Sequence, residues 1–236
     1  MTQVLEQSLN TGAVYVGNLL GKEKFKINLK KFGFGEKTGI DLPGEVAGSI
    51  SNLSSLRDID YATASFGQGI SVTPLQLAMA VSAIANEGKL MKPYIVDKII
   101  DESGAEIKNQ PEIKREVMRK ETAEILTKML VSVVRIGYDN RAGVKGYFVA
   151  GKTGTAQVPK SDGRGYSDKV THSFVGFAPA FNPRFLIFIQ LNEPSGNRFA
   201  ANTLPASFRN LAEYILNYYE VPPDEKYRAL SIFASL

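Results

Sequence analysis

Gly146-Tyr147-Phe148-Val149-Ala150-Gly151-Lys152-Thr153-Gly154-Thr155 is the stretch whose reading decides the fold of this chain. Its first eight residues satisfy the phosphate-loop pattern G-x-x-x-x-G-K-[ST]. A phosphate loop wraps its ligand with backbone N–H groups of small residues and then opens a helix whose N-terminus faces the phosphates. Neither requirement suits this stretch. Tyr147-Phe148-Val149 is a strand-forming run, and Gly154-Thr155-Ala156-Gln157-Val158-Pro159 makes a poor helix start. Arg141-Ala142-Gly143 stands where the preceding hydrophobic strand is needed. The stretch therefore reads as a strand, Val144 to Thr155, with Lys152 and Gly154 on one face and Thr153 and Thr155 on the other. Gly154 lets a ligand backbone approach closely, an open strand edge pairs with extended peptides, and Lys152 supplies positive charge for a carboxylate. The plainer alternative is an edge strand ending in a surface lysine, and three residues alone do not exclude it.

Further strands follow. His172 to Ala178 alternates, and Phe185 to Leu191 is almost continuously apolar. The polar linker 157–171 reads as a mobile loop between them. Connections this short do not permit parallel neighbours, because parallel pairs need crossovers. Helical patterns lie on both sides. Residues 3–20 are helical around a break at Ser8 to Asn10. Residues 74–87 have Thr73 as cap, Pro74 at the first position and Gly88 as stop. That helix is apolar nearly all round, which predicts a buried, central position. Residues 121–135 and 205–219 give two more, the latter ended by Pro222-Pro223. Residues 31–58 read as ordered loop with little regular structure, and Tyr94 to Ile100 as a strand with a hairpin turn at Gly104. The expected class is α+β: an antiparallel sheet packed between helices.

Composition narrows the chemistry. The 236 residues contain no cysteine and one histidine, His172, which removes thiolate metal sites, a cysteine nucleophile and most histidine relays. His172 is expected to be a structural residue at a strand end and not a general base. The net charge of +4 comes from scattered Lys and Arg, whereas nucleic-acid binding needs a concentrated basic stripe. No run reaches the roughly 18 to 20 apolar residues of a membrane span.

Lys152-Thr153-Gly154 on a strand is the third signature of the serine acyl-transferases that react with penicillin. Ser8-Leu9-Asn10 fits their second signature, Ser-x-Asn. Four further stretches, Leu5 to Gly12, Gly33 to Glu45, Ser65 to Gln76 and His172 to Ala180, resemble class B penicillin-binding proteins in the same order. The resemblance runs from residue 1 to about residue 223, leaving 224–236 as a C-terminal tail. It implies a β-lactamase/transpeptidase-like fold and the cross-linking of peptidoglycan stem peptides at the extracytoplasmic face of the bacterial inner membrane. Stem peptides and β-lactams would be the ligands, with no cofactor, no metal and no nucleic acid. The roles implied are these: Ser8 relays protons, Asn10 bonds the substrate's peptide group, and Lys152 holds the electrostatics and the proton network. Thr153, Gly154 and Thr155 bind substrate, the threonines at its carboxylate, and the Thr155 N–H is one oxyanion donor.

One signature is missing. The family's Ser-x-x-Lys supplies the nucleophile, and no serine here has lysine three residues later. Ser54, Ser132, Ser161 and Ser195 come nearest, each with arginine there (Arg57, Arg135, Arg164 and Arg198), and arginine does not serve as a base. In the family this signature precedes Ser-x-Asn, together with N-terminal strands and helices. The expectation is a transpeptidase domain incomplete at its N-terminus, inactive by itself, with one exposed sheet edge, unless a second chain supplies the missing part. A non-catalytic remnant that binds stem peptide or β-lactam, a D,D-carboxypeptidase or β-lactamase, and least of all a P-loop NTPase remain as alternatives.

Overall fold

Three runs in the second half of the chain pair into one antiparallel sheet. A computed structural model describes residues 1–55, 57–161 and 165–224. The chain divides into two units, one formed by Met1–Gly12 with Glu124–Leu236 and the other by Ala13–Ala123.

The first unit holds the sheet. Its strands are β5 (Ala150–Pro159), β6 (Tyr166–Ala178) and β7 (Phe185–Asn192), in the order β5-β6-β7. Register runs from Ala150↔Phe177 through Thr153↔Phe174 to Thr155↔His172. On the far side, β7 pairs with β6 from Phe185↔Ala178 to Asn192↔Thr171. The helix α7 (Leu204–Tyr218) turns Leu204, Phe208, Ala212 and Leu216 inward at four-residue spacing. Phe208 meets Phe174 of β6 with ring centroids 4.7 Å apart. Gly176 makes this closeness possible, since a Cβ there would lie 2.9 Å from the Phe208 ring. Val133, Val134, Tyr138, Val144, Tyr147 and Val149 complete the core. The helix α1 (Thr2–Glu6) contributes Leu5 to it. Among the described residues, both β5 and β7 are outer strands.

The second unit is built from short pieces. The helix α3 spans Lys22–Lys31, α4 Asp58–Ser65 and α5 Pro74–Ala85, and α2 (Asn10–Leu20) leads into them. Two small antiparallel pairs accompany them: β1 (Lys89–Met91) with β4 (Ile113–Glu116), and β2 (Lys98–Ile100) with β3 (Glu106–Lys108). Thr73 caps α5 in a reciprocal box with Gln76. The Gln76 amide then donates to the carbonyls of Glu36 (2.8 Å) and Ala47 (2.7 Å), pinning the glycine-rich loop. The Asp41 carboxylate accepts from the N–H groups of Ile95 and Val96, both at 2.8 Å. The described residues between α3 and α4 accordingly have little regular structure besides a 3₁₀ turn at Ser51–Ser54.

Several expected bounds move. The β5 strand starts at Ala150, since Gly146 (φ +92°) and a Tyr147 N–H to Val144 C=O bond fold residues 144–147 into a turn. The expected loop 157–171 is mostly ladder. Pairs Ala156↔Thr171 and Gln157↔Val170 extend the hairpin, leaving a short connection after Pro159 of which 162–164 lie outside the described residues. The Tyr94–Ile100 strand shortens to Lys98–Ile100. The charged run at Lys22–Lys31 is a helix, α3, whose Phe25 and Leu29 pack beside Tyr61 and Leu53. The helix α5 buries only one face fully (Gln76, Met79, Ala80, Ala83), and Met79 and Ala83 cluster with Leu90 and Val117. At the start of the expected tail, the Asp224 carboxylate accepts from Phe148 N–H at 2.7 Å, and Tyr147 donates to the Val221 carbonyl. Residues 225–236 lie outside the described residues.

Candidate active site

The site begins with a broken helix. After α1 the chain cannot continue helically, because Ser8 sits in the left-handed region (φ 52°). For a residue with a Cβ this costs on the order of 1–2 kcal/mol. Neighbouring contacts hold it there. The Glu6 carboxylate accepts from the Ser132 hydroxyl. Gly137 lies so close to Glu6 that a Cβ would fall 2.5 Å from the Glu6 carbonyl oxygen. Gly137 ends the π-turn Val133–Gly137, into which the helix α6 (Lys120–Ser132) relaxes. The break presents Ser8, and Asn10 opens α2 with its side chain exposed.

Lys152 reaches Ser8 across 144 residues of sequence, with Nζ 2.8 Å from Ser8 Oγ. The ammonium also donates to the Thr153 carbonyl (3.0 Å) and lies 3.4 Å from the Tyr138 hydroxyl. Burial brings the lysine down to about 8 from its ordinary 10.5. It is therefore a cation that loses its proton more readily than an ordinary lysine, and its ammonium donates a hydrogen bond to the Ser8 hydroxyl.

The β5 edge supplies the rest. Thr153 N–H donates to Tyr138 Oη at 2.8 Å, so it points away from β6. N–H directions alternate along a strand, so Thr155 presents its N–H and C=O on the same outward side. Thr155 is exposed, and its Oγ1 accepts from Ala200 N–H at 3.0 Å. Gly154 keeps the strand surface low beside Ser173. Ser8, Lys152, Thr153, Gly154 and Thr155 are thus brought together. Lys152 and Thr153 lie within a ten-residue strand and open no helix, which is incompatible with a phosphate loop.

His172 is fully buried, and its ring nitrogens face Thr203 Oγ1 (3.0 Å) and the Arg198 carbonyl (3.2 Å). Both are thereby engaged in holding the 198–203 segment, which fits a structural role. Among the described residues no three His, Cys, Asp or Glu side chains converge as metal ligands. Also among them, no helix is long and apolar enough to cross a membrane.

Two participants escape sequence reasoning. Tyr138 stands fourteen residues before Lys152 in a segment without pattern, and the Ala200 amide has no side-chain signature at all. Only the packing of the π-turn and of the 3₁₀ turn Ala200–Asn202 brings them to the strand.

The chain is similar to known proteins over most of its length. The penicillin binding protein transpeptidase domain family matches residues 1–213. The stage V sporulation protein D of Bacillus subtilis is 42% identical over 206 residues, covering 86% of this chain and 32% of that protein. The penicillin-binding protein PbpB of Mycobacterium tuberculosis is 34% identical, covering 94% of this chain and 34% of that protein. Penicillin-binding protein 3 of M. tuberculosis, solved with ampicillin, superposes with a TM-score of 0.88 at 33% identity, over 95% of this chain and 52% of that one. The transpeptidase domain of Burkholderia pseudomallei penicillin-binding protein 3 gives 0.81 at 34% identity, over 94% and 65%. The chain spans about a third of the length of the curated relatives named here.

Proposed function

Since this chain belongs to the penicillin-binding protein transpeptidase family, we propose that it carries the substrate-holding half of a peptidoglycan D,D-transpeptidase site. The observation that carries the reading is the 2.8 Å contact of Lys152 Nζ with Ser8 Oγ beside an open strand edge. In the complete site a serine from a Ser-x-x-Lys segment attacks the penultimate D-Ala carbonyl of a stem peptide. The peptide bond breaks as the acyl ester forms, and D-Ala leaves with a proton. The amine of a second stem then takes the acyl group and releases the serine. This divides one difficult step into two.

Each residue here has a part in that sequence. Ser8 relays the proton between Lys152 and the departing or arriving amine. Lys152, poised near 8, holds negative charge as it develops and passes the proton on. Asn10 bonds the substrate's peptide group. Thr153 and Thr155 take the terminal carboxylate, and the Thr155 N–H is one oxyanion donor, an interaction worth about 2.7–4 kcal/mol where measured by deletion. The other donor is the nucleophile's own N–H. β-Lactams enter the same groove, and the whole protein works at the outer face of the cytoplasmic membrane.

This sequence holds no Ser-x-x-Lys, so the chain by itself binds without acylating. Incubation with a fluorescent penicillin and intact-mass measurement tests both parts. The expected result is no mass shift on this chain, and a one-to-one adduct when the same residues are joined to a Ser-x-x-Lys segment of a relative. A stoichiometric adduct on this chain alone overturns its inactivity. No adduct on the joined protein overturns the transpeptidase reading. The exposed Thr155 edge favours a second reading, reversible binding of stem peptide or β-lactam without chemistry, which predicts saturable fluorescence without a mass shift.

A further inference from the structure

Two threonine hydroxyls of β5 are each gripped from behind by a group of the protein body. Thr155 Oγ1 accepts from the Ala200 amide at 3.0 Å. An amide N–H only donates, so the Thr155 proton is left to point elsewhere. Thr153 Oγ1 lies 2.8 Å from Tyr138 Oη, a contact whose polarity the distance alone leaves undecided. The neighbours decide it. Tyr138 Oη already accepts from Thr153 N–H at 2.8 Å, and the Lys152 ammonium lies at 3.4 Å, also as a donor. With both acceptor positions of the phenol facing N–H groups, its single proton goes to Thr153 Oγ1. Thr153 is then in the same state as Thr155, with its oxygen held by a donor and its own proton outward.

Tyr138 is built to stay there. It is 5% exposed, and its ring lies against Phe174 at 6.2 Å between centroids. Burial raises its pKa, so it remains a neutral phenol. Alternation along β5 puts the two threonine side chains on one face. The pair forms two preset O–H donors beside a cation, which matches an anion with two oxygens.

We propose that Tyr138 is a positioning residue that sets the donor polarity of Thr153, making the Thr153/Thr155 pair selective for a ligand's terminal carboxylate. Through its hydroxyl it also holds the Lys152 ammonium and closes the Thr153 N–H, so an added peptide strand pairs from Thr155 onward. The carboxylate selectivity rests on the function proposed above; the polarity and the Thr153 N–H cap do not.

Tyr138→Phe removes one oxygen and keeps the ring. Three readouts apply to the chain and this variant. By amide hydrogen exchange, Thr153 exchanges about tenfold faster in the variant while the Val175 and Phe177 amides of β6 do not change. By NMR of ¹⁵N-labelled lysine, Lys152 titrates lower than in the parent, because an acceptor of its charged form is gone. In titrations with diacetyl-Lys-D-Ala-D-Ala and its C-terminal amide, the parent prefers the acid, and Tyr138→Phe loses about five- to tenfold of that preference. Thr153→Val, which keeps the side-chain shape, loses a similar preference while its own amide stays protected; it serves if Tyr138→Phe folds poorly. Unchanged Thr153 exchange and Lys152 titration overturn the proposal, as does acceleration spread equally over β6, which marks general loosening. Failure of the tripeptide to bind the parent defeats the ligand reading and with it the carboxylate selectivity, whereas the first two readouts still decide whether Tyr138 positions Thr153 and Lys152.

Discussion

The two ends of β5 share one ladder and differ in almost everything else. From Ala150 to Thr153 the strand is buried or half-buried, backed by Phe174 and Tyr138, and its outward N–H at Thr153 is already taken. Its entry is tied down as well, with Asp224 on Phe148 and Val221 on Tyr147. From Thr155 to Gln157 the strand is exposed. One half is anchored, and the ladder holds the exposed half in a fixed place. A binding edge needs this arrangement, because donors that must be ordered on binding lose affinity to that ordering.

Substitutions that blur the contrast measure it. The largest effect is expected behind the anchored half. Phe174→Ala leaves a cavity between Tyr138 and Phe208 and is expected to cost about 3–5 kcal/mol, read as a lower urea midpoint. Lys152→Met is next and has the opposite sign. A lysine brought down to about 8 weighs on the folded state while it is charged, so its removal is expected to stabilise by on the order of 1–3 kcal/mol at pH 7. The pH dependence follows from the same shift. The folded lysine releases its proton near pH 8 and the unfolded one near 10.5. Between those values the unfolded state binds more protons, so parental stability rises with pH in that window. Melting curves of Lys152→Met lack that rise; if parent and variant run parallel from pH 8 to 10.5, the lysine does not carry the load assigned to it. The smallest effect on stability belongs to the open half. Thr155→Val leaves the buried Ala200 N–H without its acceptor and is expected to cost about 1 kcal/mol, read as a lower urea midpoint, while tripeptide binding falls about tenfold for loss of a hydrogen bond to a charged group. A large stability loss at Thr155 would mean that the two halves are not separate in function.

Much of this was legible before any coordinates. Periodicity gives strands at 144–155, 172–178 and 185–191 and helices at 74–87 and 205–219, and the resemblance of the motifs implies that Ser8 works with Lys152. Boundaries failed where ladder partners decide the outcome. Residues 144–149 are as strand-forming as their neighbours, but a turn at Gly146 removes them from the sheet. Gln157 and Thr171 look like linker, yet they pair because the hairpin extends past the core. Tyr138 was invisible, since a tyrosine at the end of a π-turn carries no periodic signal.

Lys-Thr-Gly-Thr and Ser-x-Asn are legible in the sequence because they are residue types at fixed local spacing, and local spacing fixes which side chains share a face. The lack of a Ser-x-x-Lys is legible there as well. How these side chains are aimed depends on tertiary packing. The Ala200 amide and the Tyr138 hydroxyl reach the two threonines over 45 and 15 residues. Such contacts depend on how helix ends and turns pack against a sheet, which no local pattern specifies.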